Sequence, residues 1–273
     1  MSKKVILITG ASSGIGKAAA RKLLAEGHTV YAAARRVEQM QELQGLGAVI
    51  LSLDITKEEH VQACIEKIIS EQGKIDVLFN NAGFGLFGSM EEVSLDDAKY
   101  QFDVNLFGLS RLTQLVVPYM RRQQSGKIIN TSSVAGKMYG PMVAWYTASK
   151  HALEGWSDCL RVELRPFGID VVIIEPGTIE TAFGDLVSER LLKQSGNGPY
   201  KNMAHSIAKA AQNSSGAGGG SSPDLVAKTV SKAIAARRPK PRYAVGKMAK
   251  PVIFLRKWLG DKNFDRLVMS QLK

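Results

Sequence analysis

Cysteine is scarce: Cys64 and Cys159 are the only two in 273 residues, far apart and in no CxxC pattern. That excludes a disulfide scaffold and a structural zinc site, and makes the reducing cytosol the expected compartment. No apolar run approaches the roughly 18–20 residues that span a bilayer. The short run Val5–Ile8, behind Met1-Ser2-Lys3-Lys4, falls below the about 7–15 apolar residues of a signal peptide and reads as a buried strand. Internal repeats are absent. So are a helix-turn-helix pattern and an aromatic single-strand platform, so no nucleic-acid partner is expected.

Net charge is also missing from most of the chain. The formal net charge is +11, yet residues 1–226 are balanced at 23 basic and 23 acidic residues. Residues 227–273 carry 13 Lys/Arg against Asp261 and Asp265 alone. A balanced body with a basic end suits a solvated face, or contact with anionic lipid or an acidic ligand. Within that end, Pro251 opens a helical pattern in which Trp258, Phe264 and aliphatic residues interleave with Arg256, Lys257, Lys262 and Arg266. Weak peripheral membrane contact is the sharper expectation; packing on the substrate loop or on a second subunit is the alternative.

What is present is alternation. Short, β-branched runs at Val5–Ile8, Thr29–Ala33, Val49–Leu53, Val77–Asn80, Lys127–Thr131 and Asp170–Glu175 read as strands buried on both faces. Helical patterns lie between them, at Ile15–Glu26, from a Thr56–Glu59 capping box to about Glu71, from a Ser94 cap to about Met120, and over Met142–Leu164. Such alternation predicts right-handed βαβ units in a doubly wound parallel α/β sheet of about seven strands. The expected organisation is one domain over 1–273, with a substrate-loop insertion at 183–222 and a basic extension at 237–273. Asn213–Ser222 reads as a flexible loop. A helix near Pro223–Ala236 and a strand at Arg242–Val245 follow.

The first strand runs into Thr9-Gly10-Ala11-Ser12-Ser13-Gly14-Ile15-Gly16, and a helix follows. Glycines there allow a tight turn and close backbone approach to a pyrophosphate, and the helix N-terminus favours negative charge. Further on stand Asn80-Asn81-Ala82-Gly83 after the fourth strand, Asn105, Ser133, Tyr146-Thr147-Ala148-Ser149-Lys150, and Pro176-Gly177 after the sixth strand. In order and spacing, over about residues 3–183, these resemble the short-chain dehydrogenase/reductase family in its compact single-domain branch. The resemblance implies a Rossmann-type fold and an oxidoreductase. The surroundings of Tyr146 and the C-terminal extension are similar to retinol, 17β-hydroxysteroid and acyl-dihydroxyacetone-phosphate reducing members.

The resemblance places Gly10, Ser12, Ser13, Gly14, Ile15 and Gly16 at the cofactor pyrophosphate. It puts Asp54 and Ile55 at the adenine, and Asn81, Ala82 and Gly83 along the ribose side. Pro176, Gly177, Ile179 and Thr181 are expected at the nicotinamide, where Thr178 is an alternative to Thr181. The end of the second strand decides which nicotinamide cofactor is used. An acid about 20 residues past the glycines would hold the adenosine ribose hydroxyls. Arg35 and Arg36 stand there instead, suited to gripping a 2′-phosphate by charge-assisted bonds, so NADP(H) is predicted.

Tyr146 and Lys150 are four apart on a predicted helix and share a face. Lowering a tyrosine from about 10 to about 7 takes roughly 4 kcal/mol, which a cation about 4 Å away supplies at an effective dielectric near 20. Lys150 is therefore expected to activate Tyr146 as acid or base, and to hold the nicotinamide ribose. Ser133, thirteen residues before the tyrosine, is expected to hold the substrate oxygen; Ser132 competes for that role. Asn105, at a kink in the long helix, is expected to hold a water beside Lys150.

Leu86, Phe87, Met138, Tyr139, Met142, Val143, Phe183 and Leu186 are the expected pocket walls, suiting a small hydrophobic carbonyl or alcohol that is steroid-, retinoid- or lipid-like. Alternatives are a membrane-surface lipid-ketone reductase and a non-catalytic NADP-binding regulator, the latter expected to lack Ser133, Tyr146 or Lys150. Epimerases and dehydratases share the tyrosine–lysine pair but usually carry a larger C-terminal substrate domain. Homodimers or homotetramers, usual in the family, are expected through the helices bearing Asn105 and Tyr146. The basic extension could block one such interface.

Overall fold

The structure is a computed structural model and describes residues 2–215 and 218–270. Seven strands form one sheet in the order β3-β2-β1-β4-β5-β6-β7. They are β1 Val5–Thr9, β2 Thr29–Ala34, β3 Val49–Ser52, β4 Val77–Asn80, β5 Gly126–Thr131, β6 Ile169–Pro176 and β7 Arg242–Val245. Every pairing is parallel. The chain starts mid-sheet, winds outward to β3, then crosses back to β4. That reversal opens a crevice at the carboxyl ends of β1 and β4, where α/β sheets bind ligands.

Alternate residues of each strand feed two cores. Leu7, Tyr31, Leu78 and Ile128 pack against α3 (Glu58–Gln72), α5 (Leu109–Arg122) and α6 (Ala144–Leu164). Ile6, Ile8, Val30 and Phe79 pack against α1 (Gly14–Ala25), α2 (Gln41–Gly45) and α9 (Pro223–Ala235). Both faces are covered, which is why the strands read as nearly unbroken apolar runs.

The departures from expectation are local. Thr56 does not cap α3; its hydroxyl and its backbone N–H both go to Asp54 Oδ1, at 2.8 and 3.0 Å, and Lys57 takes the N-cap position without a side-chain bond. Ser94 does cap its helix, accepting from Asp97 N–H, but the helix is not continuous. α4 (Leu95–Phe102) gives way to a π-helical stretch over Asp103–Gly108 before α5 begins. The expected insertion is a helical hairpin. α7 (Phe183–Ser195) and α8 (Lys201–Ser215) bury Leu191, Ala204 and Ala208 against each other and against Met142.

The glycine-rich run is less free than its composition implies. Its first residues, Asn213–Ser215, complete α8. Gly218 and Gly220 N–H donate to Glu180 Oε1 at 2.8 and 3.3 Å. Residues 216–217 of the run lie outside the described residues. The basic extension forms α10 (Ala249–Trp258) and α11 (Gly260–Ser270), and its last three residues also lie outside them. Among the described residues no helix is long and apolar enough to cross a membrane.

Candidate active site

The turn after β1 is shaped by glycine. Gly10 and Gly14 have φ of +67° and +53°, a region that suits glycine. A Cβ on Gly10 would sit 2.8 Å from Ala82 Cα, and one on Gly16 2.3 Å from Gly10 O. Asn81 locks the two loops together. Its backbone N–H donates to Thr9 Oγ1 at 3.0 Å, and its amide donates to Thr9 O and Gly10 O. Ser13 is the N-cap of α1 but makes no side-chain cap bond, so the first N–H groups of the helix keep their capacity for an anion.

A cleft of about 1170 Å³ opens over this turn. Of the residues expected at a cofactor, Gly10, Ser12, Ser13, Gly14, Ile15, Arg35, Arg36, Asp54, Ile55, Asn81, Ala82, Gly83, Tyr146, Lys150, Pro176, Gly177, Ile179 and Thr181 line it. Gly16 does not; it is where α1 packs against Gly10 and Asn81. Gly177 has a second reason to be glycine: a Cβ there would lie 2.1 Å from Lys247 O, where the C-terminal segment crosses. Arg35 Nη1 donates to Tyr100 Oη at 3.0 Å, and Arg36 Nη2 reaches Ser12 Oγ at 3.5 Å. Burial pushes the Asp54 carboxyl up, but the two Thr56 bonds and Arg35 outweigh it and the net shift is down. Asp54 is the one acid lining the cleft among the described residues.

At the other end stand Ser133, Tyr146 and Lys150. Ser133 is extended after β5, and its hydroxyl accepts from Ala135 N–H at 3.1 Å. The Tyr146 ring lies between Phe87 and Phe183, at centroid distances of 5.7 and 6.1 Å. Burial pushes its pKa up, and a hydrogen bond with Ser133 pulls it down less strongly. Lys150 Nζ donates to Thr131 O at 2.9 Å and stands 5.9 Å from the Tyr146 ring centroid. Burial brings Lys150 down to about 8, while Glu154 opposes the fall. Burial dominates both groups, raising the acid and lowering the base.

Asn105 is fully buried and does not line the cleft. The π-helical stretch turns its side chain onto the loop after β4. There Oδ1 accepts from Phe84 N–H at 3.1 Å, and Nδ2 donates to Phe84 O and Ser149 Oγ. Its carboxamide ties this loop to α6. Gln101, one turn earlier, holds the same loop through Leu86 N–H and Phe84 O, and nothing in the motif pattern marks it.

The expected pocket walls divide. Phe87, Met138, Val143, Phe183 and Leu186 line the cleft. Leu86 and Met142 are buried in packing, and Tyr139 turns to Phe264 and Asp265. Sequence reasoning missed the opposite wall. Val252 and Leu255 of α10, Phe264, Leu267 and Val268 of α11, and Ile207 of α8 complete it. Their helical spacing marks an apolar face, but only the tertiary structure shows that the face covers this cleft. Arg190, 4.9 Å above the Phe84 ring, is a further lining residue without a motif.

Residues 4–191 match the short chain dehydrogenase family. The chain is 43% identical over 186 residues to 3-ketodihydrosphingosine reductase of Bacteroides thetaiotaomicron, covering 68% of this chain and 67% of that one. It is 34% identical over 284 residues to NADPH-dependent 3-dehydrocapnine reductase of Ornithobacterium rhinotracheale, covering 98% and 96%. A short-chain dehydrogenase from Streptomyces avermitilis superposes with a TM-score of 0.81 at 31% identity, over 95% of this chain and 97% of that one.

Proposed function

Given that this chain belongs to the short-chain dehydrogenase/reductase family of oxidoreductases, we propose that it is an NADPH-dependent reductase of a long-chain, lipid-like ketone. The observation that carries the reading is the second wall of the cleft. Helices α8, α10 and α11 contribute aliphatic and aromatic side chains to the lining of the same cleft as Tyr146 and Ser133. A chain of methylenes would be desolvated there at about 0.8 kcal/mol each. Two relatives carry the names of reductases, one of 3-ketodihydrosphingosine and one of 3-dehydrocapnine.

The glycine turn and the uncapped start of α1 fit a pyrophosphate: a side chain on Gly10 would collide with Ala82 and push the two loops apart, and the first N–H groups of α1 have no side-chain cap from Ser13. When bound, the cofactor supplies hydride to the carbonyl carbon. Tyr146, kept protonated by burial, donates its proton to the carbonyl oxygen, and Ser133 hydrogen-bonds that oxygen. The Lys150 ammonium stabilises the phenolate that remains. Asn105 and Gln101 are positioning residues: they fix the loop carrying Gly83 and Phe84. Arg35 and Arg36 favour the 2′-phosphate of NADPH. Replacing Arg35 with Ala is expected to weaken NADPH binding at least about tenfold, with NADH little changed. NADH preference in the wild type, or no effect of the substitution, overturns the cofactor assignment. Cofactor binding without turnover of 3-ketodihydrosphingosine or long 2-alkanones leaves the non-catalytic regulator.

The partner proposed for the C-terminal face is an anionic membrane surface. Lys250, Phe254, Lys257 and Trp258 share the side of α10 opposite Val252 and Leu255. Phe254 and Trp258 are 63% and 68% exposed, with rings 6.3 Å apart. Asp261 and Asp265, the two acids of the tail, are spent on Arg256 and Tyr139. Each basic residue near an anionic surface contributes about 1 kcal/mol. Phosphatidylglycerol vesicles at low salt are therefore expected to sediment the protein, and the pair K250E/K257E to reduce binding at least about tenfold. Equal binding to neutral phosphatidylcholine, or none at all, contradicts this. A second copy is proposed at the helices bearing Asn105 and Tyr146, where Phe107 and Val162 are exposed; light scattering reads it directly.

A further inference from the structure

Behind Lys150 lies a buried set of charges that the reaction scheme does not use. Glu154 is one helical turn beyond Lys150 on α6 and is 3% exposed. Its Oε2 meets Lys137 Nζ at 2.8 Å and Arg242 Nε at 3.0 Å, while its Oε1 has no hydrogen-bond partner. Arg242, on β7, also donates from Nη2 to Asp158 at 2.6 Å and lies 3.4 Å from Glu175 at the end of β6. Asp158 is shared with Arg161. The packing around Glu154 is close: a Cβ on Gly136 would sit 2.9 Å from its Cγ. The charged groups facing it are thus Lys150, Asp158 and Arg161 on α6, Lys137 on the turn after β5, Glu175 on β6 and Arg242 on β7.

Lys150 itself meets no carboxylate within ion-pair distance among the described residues; its ammonium is bonded to the Thr131 carbonyl. A buried ammonium with only a neutral acceptor is costly unless a nearby negative charge offsets its lost solvation. Glu154 is the carboxylate placed to do so. We propose that Glu154 is a positioning residue that keeps Lys150 charged at working pH, and that Lys137 and Arg242 set how much of its charge Lys150 feels. The electrostatic balance agrees: burial drives Lys150 down and Glu154 is the group that opposes it. Full neutralisation by two cations would leave Lys150 unsupported, and no neutralisation would bury a bare carboxylate.

The test reads Lys150 directly, without turnover. The ¹³Cε resonance of Lys150, assigned by its loss in K150R, is titrated in the intact protein. In wild type the midpoint is expected at about 8. E154Q removes the negative charge and is expected to lower it by about one unit; K137M removes a positive charge from the partly exposed edge and is expected to raise it by about half a unit. A merely structural role moves both variants the same way or neither. Midpoints that stay within about 0.2 units of wild type, or that shift in one direction together, overturn the proposal. Should E154Q not fold, the upward shift in K137M alone decides. The alkaline limb of kcat/KM with NADPH, which rests on the reductase reading, is expected to follow the same two displacements. Absence of turnover overturns that reading and leaves the resonance titration to judge Glu154.

Discussion

At the residue scale, burial is the largest influence on the two titratable groups at the catalytic end of the cleft. Tyr146 is held as an acid because its phenolate would be desolvated, and Lys150 is softened for the same reason. The tyrosine–lysine spacing was legible from sequence. The burial of the pair was not, because it depends on how much protein surrounds the helix. Glu175 extends the argument to stability. Burial, reinforced by Glu154, raises its pKa from the ordinary carboxylate range to about 7. Between about 4.5 and 7 the folded chain therefore holds a proton that the unfolded chain releases, so this group makes stability fall as pH rises through that window. The full effect is of order 3 kcal/mol. E175Q is expected to flatten the dependence of Tm on pH between 5 and 7.5, and an unchanged slope refutes the assignment.

At the element scale, the βαβ units and the glycine turn followed from pattern because propensity, periodicity and turn chemistry agree along β1, α1 and β2. Three elements did not follow. Thr56 is turned back onto Asp54 Oδ1, two residues before it, and the helix starts one residue later than the capping pattern requires, with Lys57 at the N-cap. The π-helical stretch at Asp103–Gly108 has no local signal strong enough to separate it from an ordinary helix; it shows in the bonds of Asn105 to the Phe84 loop. The α7–α8 hairpin buries a small cluster of its own, so its amphipathic pattern resembles surface sequence. The turn after β1 gives the sharpest element-level expectation. Gly16→Ala puts a methyl 2.3 Å from Gly10 O, so backbone must shift. NADPH affinity is expected to fall at least about tenfold, with a lower Tm. Calorimetric binding like that of wild type would show that the turn tolerates a side chain.

At the scale of the whole molecule, the C-terminal 25 residues or so join the two ends of the function. One side of α10 lines the cleft that holds Tyr146, and the other carries Phe254, Trp258, Lys250 and Lys257 outward, with the Lys257 ammonium over the Trp258 ring. The segregated charge was visible in composition alone. That the same helix walls the substrate space was not, because contact between residues 252–268 and residues 83–146 is a property of the fold. The family and the sheet were therefore readable, and most of the residues expected at a cofactor line one cleft. Half of the substrate wall came only from the structure. The central claim is that this composite wall receives a long apolar chain. It is tested most directly by kcat/KM for a series of 2-alkanones of increasing length, at saturating NADPH, in wild type and in Leu255→Ser. The account expects a rise of about three- to fourfold per added methylene until the wall is filled, and a clearly shallower rise in the variant. A profile that is flat with chain length, or identical in the two proteins, would contradict it.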